Sequence, residues 1–320
     1  MMLHSAATLL AYGLLSSKLA LAAPLFGLPG LQSDSDVTAA VSEDTINADL
    51  VRPAQFSRVA YCSSAAVTSW QCGPPCDALG NDIDVFQAGG DDGLVPMYFI
   101  AHDPSTDTIV VAHQGTEPEN FLSVLNDAQF FLEDLNTTRF TSADGKGIQV
   151  HDGFQKTFER TADGVLSGVQ KGLADKGANK VLVTGHSLGA AIATLDAMML
   201  RQELDPSIEI DTAVFGLPRV GNQEWADFVD AQLGGKLTRV SNQDDPVPIV
   251  PPRTIGFRHP QGEVHIKAVD DNGQATDVVS CEGQENDECS AGNTVFTASV
   301  ANHLGPYFDD ISFGGSACPL

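Results

Sequence analysis

The sequence predicts an α/β domain, with a mostly parallel sheet covered by helices on both faces. Short apolar segments that read as strands alternate with segments of helical periodicity, the order that builds parallel sheets. The 320 residues hold 42% hydrophobic residues, enough for one large core. No internal repeat and no interdomain linker interrupts them.

The elements follow in chain order. Apolar runs at Ala6–Leu15 and Leu19–Ala23, with Ala20-Leu21-Ala22 as a small-x-small cleavage site, predict a signal peptide over residues 1–22 and hence export. Ser16, Ser17 and Lys18 interrupt the run and leave it short for a membrane span, and no later segment is long and apolar enough to cross a bilayer. Residues 23–46 are rich in Ser, Asp, Ala and Gly without periodicity and read as a flexible leader or propeptide. A single catalytic domain is expected over residues 47–320. Ala48–Ser63 has a helical pattern. Val95–His102 and Thr108–His113 read as strands joined by a polar turn. Between Gly153 and Lys176, Phe154, Phe158, Ala162, Val165, Val169 and Leu173 recur at helical spacing. Lys180–Thr184 is a short apolar strand, and Ala190–Leu204 is strongly helix-forming. Ile208–Phe215 and Leu237–Val240 are further strands, with a helix over Gln223–Leu233 between them.

Composition excludes several classes. A net charge of −25 repels phosphate backbones, so nucleic acid is not an expected partner. Six cysteines in an exported chain imply three disulfides among 15 possible pairings. Cys72 and Cys76 bracket Gly-Pro-Pro, Cys281 and Cys289 bracket a polar loop, and Cys62 with Cys318 would then tie the domain's start to its end. That long loop would contribute about 4–5 kcal/mol in the chain-entropy model. No C-x2-C pair or H-E-x-x-H run suggests a metal, and no cofactor is expected. Asn136-Thr137-Thr138 is the one glycosylation sequon. The sequence assigns no oligomeric state.

The informative stretch is Gly185-His186-Ser187-Leu188-Gly189, which occurs once and runs directly from a strand into a helix. That context is a nucleophile elbow. The strand and helix meet in a sharp turn that lifts a serine hydroxyl out at the sheet edge, and Ala190, Ala191 and Ala193 let the helix lie close. The helix N-terminus points free N–H groups at the reacting centre. The alternative is that Ser187 only N-caps this helix. A serine needs a neutral imidazole to take its proton. In the α/β-hydrolase fold the order Ser, Asp or Glu, His restricts that base to His259, His265 or His303. His303 precedes Leu304-Gly305 near the chain's end and is preferred. His265 reads as a strand residue, and His259, before Pro260, as a residue of a solvent loop. His186, beside the serine, reads as a packed or hydrogen-bonded support. Asp245, before Pro246-Val247-Pro248, is the expected orienting acid, with Asp244 close behind.

Two N–H donors should face the tetrahedral oxygen. The amide of Leu188 is one candidate, and Thr116, reached through His113-Gln114-Gly115, is the second. Beyond it Phe121, Val124, Leu125 and Ala128 fall at i, i+3, i+4 and i+7. With Leu122 they outline a short amphipathic helix that reads either as a lid over an apolar groove or as an ordinary surface helix.

On these residues the chain resembles the fungal class 3 lipases, the secreted filamentous-fungal lipases and feruloyl esterases. The likeness spans Ala48 to Leu320. It includes Tyr61-Cys62, Val150-His151-Asp152-Gly153-Phe154, the segment Val183–Ala191, Phe215-Gly216-Leu217-Pro218-Arg219-Val220-Gly221-Asn222, Asp245-Pro246-Val247-Pro248 and His303-Leu304. The resemblance implies a triad of Ser187, Asp245 and His303, an oxyanion hole from Thr116 and Leu188, and the disulfide pattern given above. It also implies hydrolysis of triacylglycerol at an oil–water interface, or of feruloyl or other carboxylic esters. An inactive lipid-binding relative is the reading from another class. The chain departs from the family where His113-Gln114-Gly115 replaces the Phe-Arg-Gly of many lipase members, and its lid candidate has no tryptophan.

Overall fold

The computed structural model describes residues 34–90, 95–116, 130–315 and Cys318. The expected signal peptide and the lid candidates Phe121, Leu122, Val124 and Leu125 lie outside these residues.

The main sheet has nine strands. In chain order they are β1 (Thr38–Ala40), β2 (Asp84–Gly89), β3 (Tyr98–Asp103), β4 (Thr108–His113), β5 (Lys180–His186), β6 (Glu209–Phe215), β7 (Leu237–Asn242), β8 (Glu263–Val269) and β9 (Ala275–Cys281). Across the sheet they run β1-β9-β8-β7-β6-β5-β4-β3-β2. Strands β4 to β8 are parallel, and antiparallel strands finish both edges. The apolar runs of β4 and β5 occupy the middle of this sheet, and every residue of β4 is buried. A continuous apolar run, in place of alternation, is what a strand with helices above and below requires.

The helices Ala162–Lys176, Leu188–Glu203 and Gln223–Leu233 share one core with the sheet, built around Val165, Leu195, Trp225 and Val229. On the other face Val51–Val59 and Ser64–Thr68 pack through Phe56, Val59 and Val67. Cys62–Cys318 lies in that second core, while Cys72–Cys76 and Cys281–Cys289 close short loops. The helix expected over Gly153–Lys176 is two helices, Asp152–Glu159 and Ala162–Lys176. At the break the Thr161 hydroxyl bonds back to the carbonyl of Phe158, a local bond that competes with the helical ladder.

The expected leader needs correction. Its residues from Asp34 onward belong to the fold, ahead of the expected domain start at residue 47. Asp34–Ser35 pairs with Glu285–Asn286, β1 pairs with β9, and the helix Glu43–Asp49, capped by Ser42, buries Ile46. Segments of two and three residues are too short to show periodicity. Their order comes from the unpaired edge of β9, which lies far away in sequence.

Candidate active site

The parallel strands deliver their C-terminal ends to one edge, and the functional side chains gather there. Ser187 leaves β5 with φ 59° and ψ −126°, a left-handed conformation costly for a residue with a Cβ. A Cβ at Gly185 would run into the carbonyl of Gly189, and one at Gly189 into the carbonyl of His113. Only glycines let the helix start so close to β5 and β4. The Ser187 hydroxyl makes no capping bond to this helix, so the N-cap reading fails. Ser187 N donates instead to the carbonyl of Phe215 at the end of β6, 2.9 Å away.

His303 and Asp245 meet although 58 residues apart, with Nδ1 2.9 Å from Oδ2 and both side chains buried. The other carboxylate oxygen accepts the amide of Val247 at 2.8 Å, the rigid turn expected from Pro246 and Pro248. Asp244 accepts the Ser299 amide through its carbonyl, and its charge acts on His265. The His303 ring lies against Gly216, the residue after β6, where an added Cβ would sit 2.8 Å from it. The imidazole is thus placed beside the strand end that neighbours the elbow.

His186 supports this placement. Its Nε2 lies 2.8 Å from the carbonyl of His303, so Nε2 carries the proton and Nδ1 accepts the Tyr61 hydroxyl at 2.6 Å. Its ring stacks on Phe313, and burial followed by the charge of His303 holds it well below the ordinary histidine range. It stays neutral, as a buried strut must. Asn242, at the end of β7, donates to the carbonyls of Asn302 and Pro306 and so fixes both sides of the loop carrying His303. An asparagine closing a strand just before Asp244-Asp245 was the available signal for this role.

The loop after β4 lies on the elbow. A Cβ on Gly115 would collide with the Tyr61 hydroxyl and the His186 carbonyl, and would stand 2.8 Å from Cβ of Ser187. Gln114 pins this loop by exchanging two bonds with the backbone of Met97. Thr116 follows directly, and Leu188 opens the nucleophile helix. Behind them lies a clamp that sequence reasoning missed: Nε2 of His113 lies 2.6 Å from Oδ2 of Asp196, both side chains buried. Burial pushes the Asp196 carboxyl up, against the opposing pull of His113. This pair joins the strand feeding the Thr116 loop to the helix that starts after Ser187.

A second buried network holds the loop that carries Asp245. Arg219 grips Glu285 through Nε at 2.8 Å and Nη2 at 2.9 Å, and its Nη1 donates to the carbonyls of Ile249 and Pro251. His259, expected in a solvent loop, is instead buried. Its amide donates to Glu285 and its Nε2 donates to the carbonyl of Pro248 at 2.8 Å. The partners come from distant segments, which is why a neighbouring proline misled. His265 is a buried strand residue of β8 that meets Ser241, away from Asp245.

Two measurements probe this network. Arg219→Met leaves the Glu285 carboxylate buried without its partner, and unfolding in urea should show a loss of about 3–5 kcal/mol. Adding Glu285→Gln should restore part of that loss, and no recovery would mean the charge pair is not what matters.

The second measurement is pH. Burial, then the charge of Arg239, depresses His259 to about 3. Its Nδ1 has no hydrogen-bond partner, so a proton added there is unsatisfied. Below pH 6.5 the unfolded chain takes up that proton and the folded chain does not. Stability therefore falls as pH drops from 6.5 towards about 3, by at most about 5 kcal/mol from this residue. Despite burial, the Arg219 hydrogen bond holds Glu285 at about 2, and the Arg239 charge does the same for Glu263. Their contribution is present above pH 4.5 and is lost towards about 2. His259→Gln should reduce the slope of unfolding free energy between pH 6.5 and 4.5, and an unchanged slope would refute the assignment.

The family profile described as Lipase (class 3) matches residues 110–255. The secreted mono- and diacylglycerol lipase LIP1 of Malassezia globosa is 36% identical over 216 residues, 66% of this chain and 69% of that protein. A second enzyme of that name, MDL3 of the same organism, is 33% identical over 272 residues, 85% of this chain and 84% of its own length. The chain belongs to the class 3 lipase family. Lipase II from Rhizopus niveus superposes with a TM-score of 0.75 at 28% identity, over 87% of this chain and 99% of that one. As a class 3 lipase the protein has the α/β-hydrolase fold and is a secreted carboxylic-ester hydrolase. No helix among the described residues is long and apolar enough to cross a membrane.

Proposed function

We propose that the enzyme hydrolyses acylglycerol esters at a lipid surface, with Ser187 as nucleophile, His303 as general base and acid, and Asp245 orienting the imidazole. The observation that carries this reading is the conjunction of a strained, buried serine elbow with the buried His303–Asp245 pair at the same sheet edge. Asp245 accepts from Nδ1–H of His303, which leaves Nε2 as the basic nitrogen. Nε2 takes the proton as Ser187 Oγ attacks the ester carbonyl. The amides of Thr116 and Leu188 receive the oxyanion. The alcohol leaves with the proton from His303, and water then cleaves the acyl-enzyme. In that second step His303 takes a proton from the water and returns it to Ser187 Oγ as the carboxylic acid departs.

The names of the two Malassezia relatives favour mono- and diacylglycerols over triacylglycerol as substrates. Initial rates on emulsified monooleoylglycerol, dioleoylglycerol and trioleoylglycerol, with methyl ferulate beside them, test this. The partial glycerides should be cleaved fastest, and cleavage of methyl ferulate alone would replace the reading with a feruloyl esterase. A signal peptide, a leader or propeptide that stops short of Asp34, and a glycan on Asn136 complete the proposed secreted enzyme. Such a glycan would replace one of the two hydrogens on Asn136 Nδ2, the atom that donates to Glu159.

A further inference from the structure

We propose that the turn Thr294–Thr297 inserts Val295 and Phe296 into the uncharged acyl surface from which the substrate is drawn. This rests on the lipid-surface reading above and adds the segment that makes contact.

Four observations converge on this turn. Phe296 is 95% exposed and Val295 70%, the two most exposed large apolar side chains of the described chain. They are the central residues of a turn closed by Thr297 N on the carbonyl of Thr294 at 3.2 Å and braced by the two threonine hydroxyls. Those positions normally hold Gly, Pro, Asn or Asp, so the tip presents apolar residues where turn chemistry does not ask for them. The turn is also tied to the site. Asn293 Nδ2 donates to the carbonyl of Gln243, and Ser299 N to the carbonyl of Asp244, the residues just before Asp245. His303 follows seven residues after Phe296.

The last observation is charge. Residues 289–308 contain no Asp, Glu, Lys or Arg, in a chain whose charged residues amount to 18% and whose net charge is −25. An anionic surface would repel this chain, and the segment brings no cation to overcome that. An uncharged acylglycerol film accepts it. Single exposed apolar residues are ordinary, but two adjacent ones at the tip of a charge-free turn beside the catalytic acid and base form a wedge.

The test uses the full chain and two variants. Val295→Ser with Phe296→Ser removes the wedge, and Phe296→Trp reports on it. Adsorption to emulsified dioleoylglycerol should fall about ten- to hundredfold in the double variant. Its rate on dissolved p-nitrophenyl acetate should stay within a factor of about two, since the tip touches no part of the core. The Phe296→Trp emission should move to the blue when emulsion is added. Equal adsorption by parent and double variant, or no spectral shift, overturns the inference while the parent's lipolysis leaves the proposed function standing. A blue shift that grows with protein concentration without lipid assigns the tip to a second copy of the chain and also overturns it. Tighter adsorption to phosphatidylglycerol vesicles than to dioleoylglycerol refutes the uncharged-surface assignment. A parent that cleaves the acetate but neither binds nor hydrolyses dioleoylglycerol overturns the acylglycerol reading, and this inference with it.

Discussion

Ser187→Ala should lower kcat/KM on a dissolved ester by about 10⁵- to 10⁶-fold, the loss that follows when a triad nucleophile is removed. The fold should be untouched, because the hydroxyl makes no capping bond and the helix keeps its packing through Ala190, Ala191 and Ile192. Ser187→Gly should be equally inactive yet more stable, by about 1 kcal/mol. Glycine accepts φ 59° without the penalty that serine bears. The two variants separate function from structure: a purely structural serine would lose stability and leave esterase turnover alone. Activity in Ser187→Ala above a hundredth of the parent rate would show that another group attacks the ester. Unchanged turnover together with lipid binding would favour the inactive-relative reading.

The elbow was legible in the sequence because its geometry is written in contiguous residues. Two glycines mark the points where backbones nearly touch, and the apolar strand and alanine-rich helix lie directly on either side. The choice between Asp244 and Asp245 was narrower. Both precede the same prolines, and what separates them is the Val247 amide, which clamps only the Asp245 carboxylate. Where partners come from separate segments, the local pattern fails. His259 reads as a loop residue beside Pro260, but Pro248 and Glu285 bind it in the interior. The pair His113–Asp196 follows the same logic, although an aspartate inside the apolar run Leu195 to Leu200 was a visible anomaly. Residues 34–46 show the remaining limit. A three-residue strand carries almost no periodic signal, and the edge that orders it is more than two hundred residues away.

Asp245→Asn should reduce kcat/KM by about 10⁴-fold with the protein folded and substrate binding little changed. The reason lies in which oxygen does what. Oδ1 of Asp245 accepts the Val247 amide at 2.8 Å, and Oδ2 faces Nδ1 of His303 at 2.9 Å. An asparagine cannot turn its amide nitrogen toward the Val247 N–H, since two donors would then meet in a buried site. Its oxygen must keep the Val247 bond, so its NH2 group points at His303. Nδ1 then has to be the acceptor, and the imidazole proton moves to Nε2, where no proton can be taken from Ser187. The carboxylate's stabilisation of the imidazolium is lost as well. The Val247 bond is what makes the argument sharp, because it forbids the flip that would otherwise let asparagine mimic the acid. Nitrogen-15 chemical shifts of the His303 ring would report the protonated nitrogen directly, and should show Nδ1–H in the parent and Nε2–H in the variant. An Asp245→Asn enzyme within tenfold of the parent rate, or one with Nδ1 still protonated, would mean that a different group orients the base.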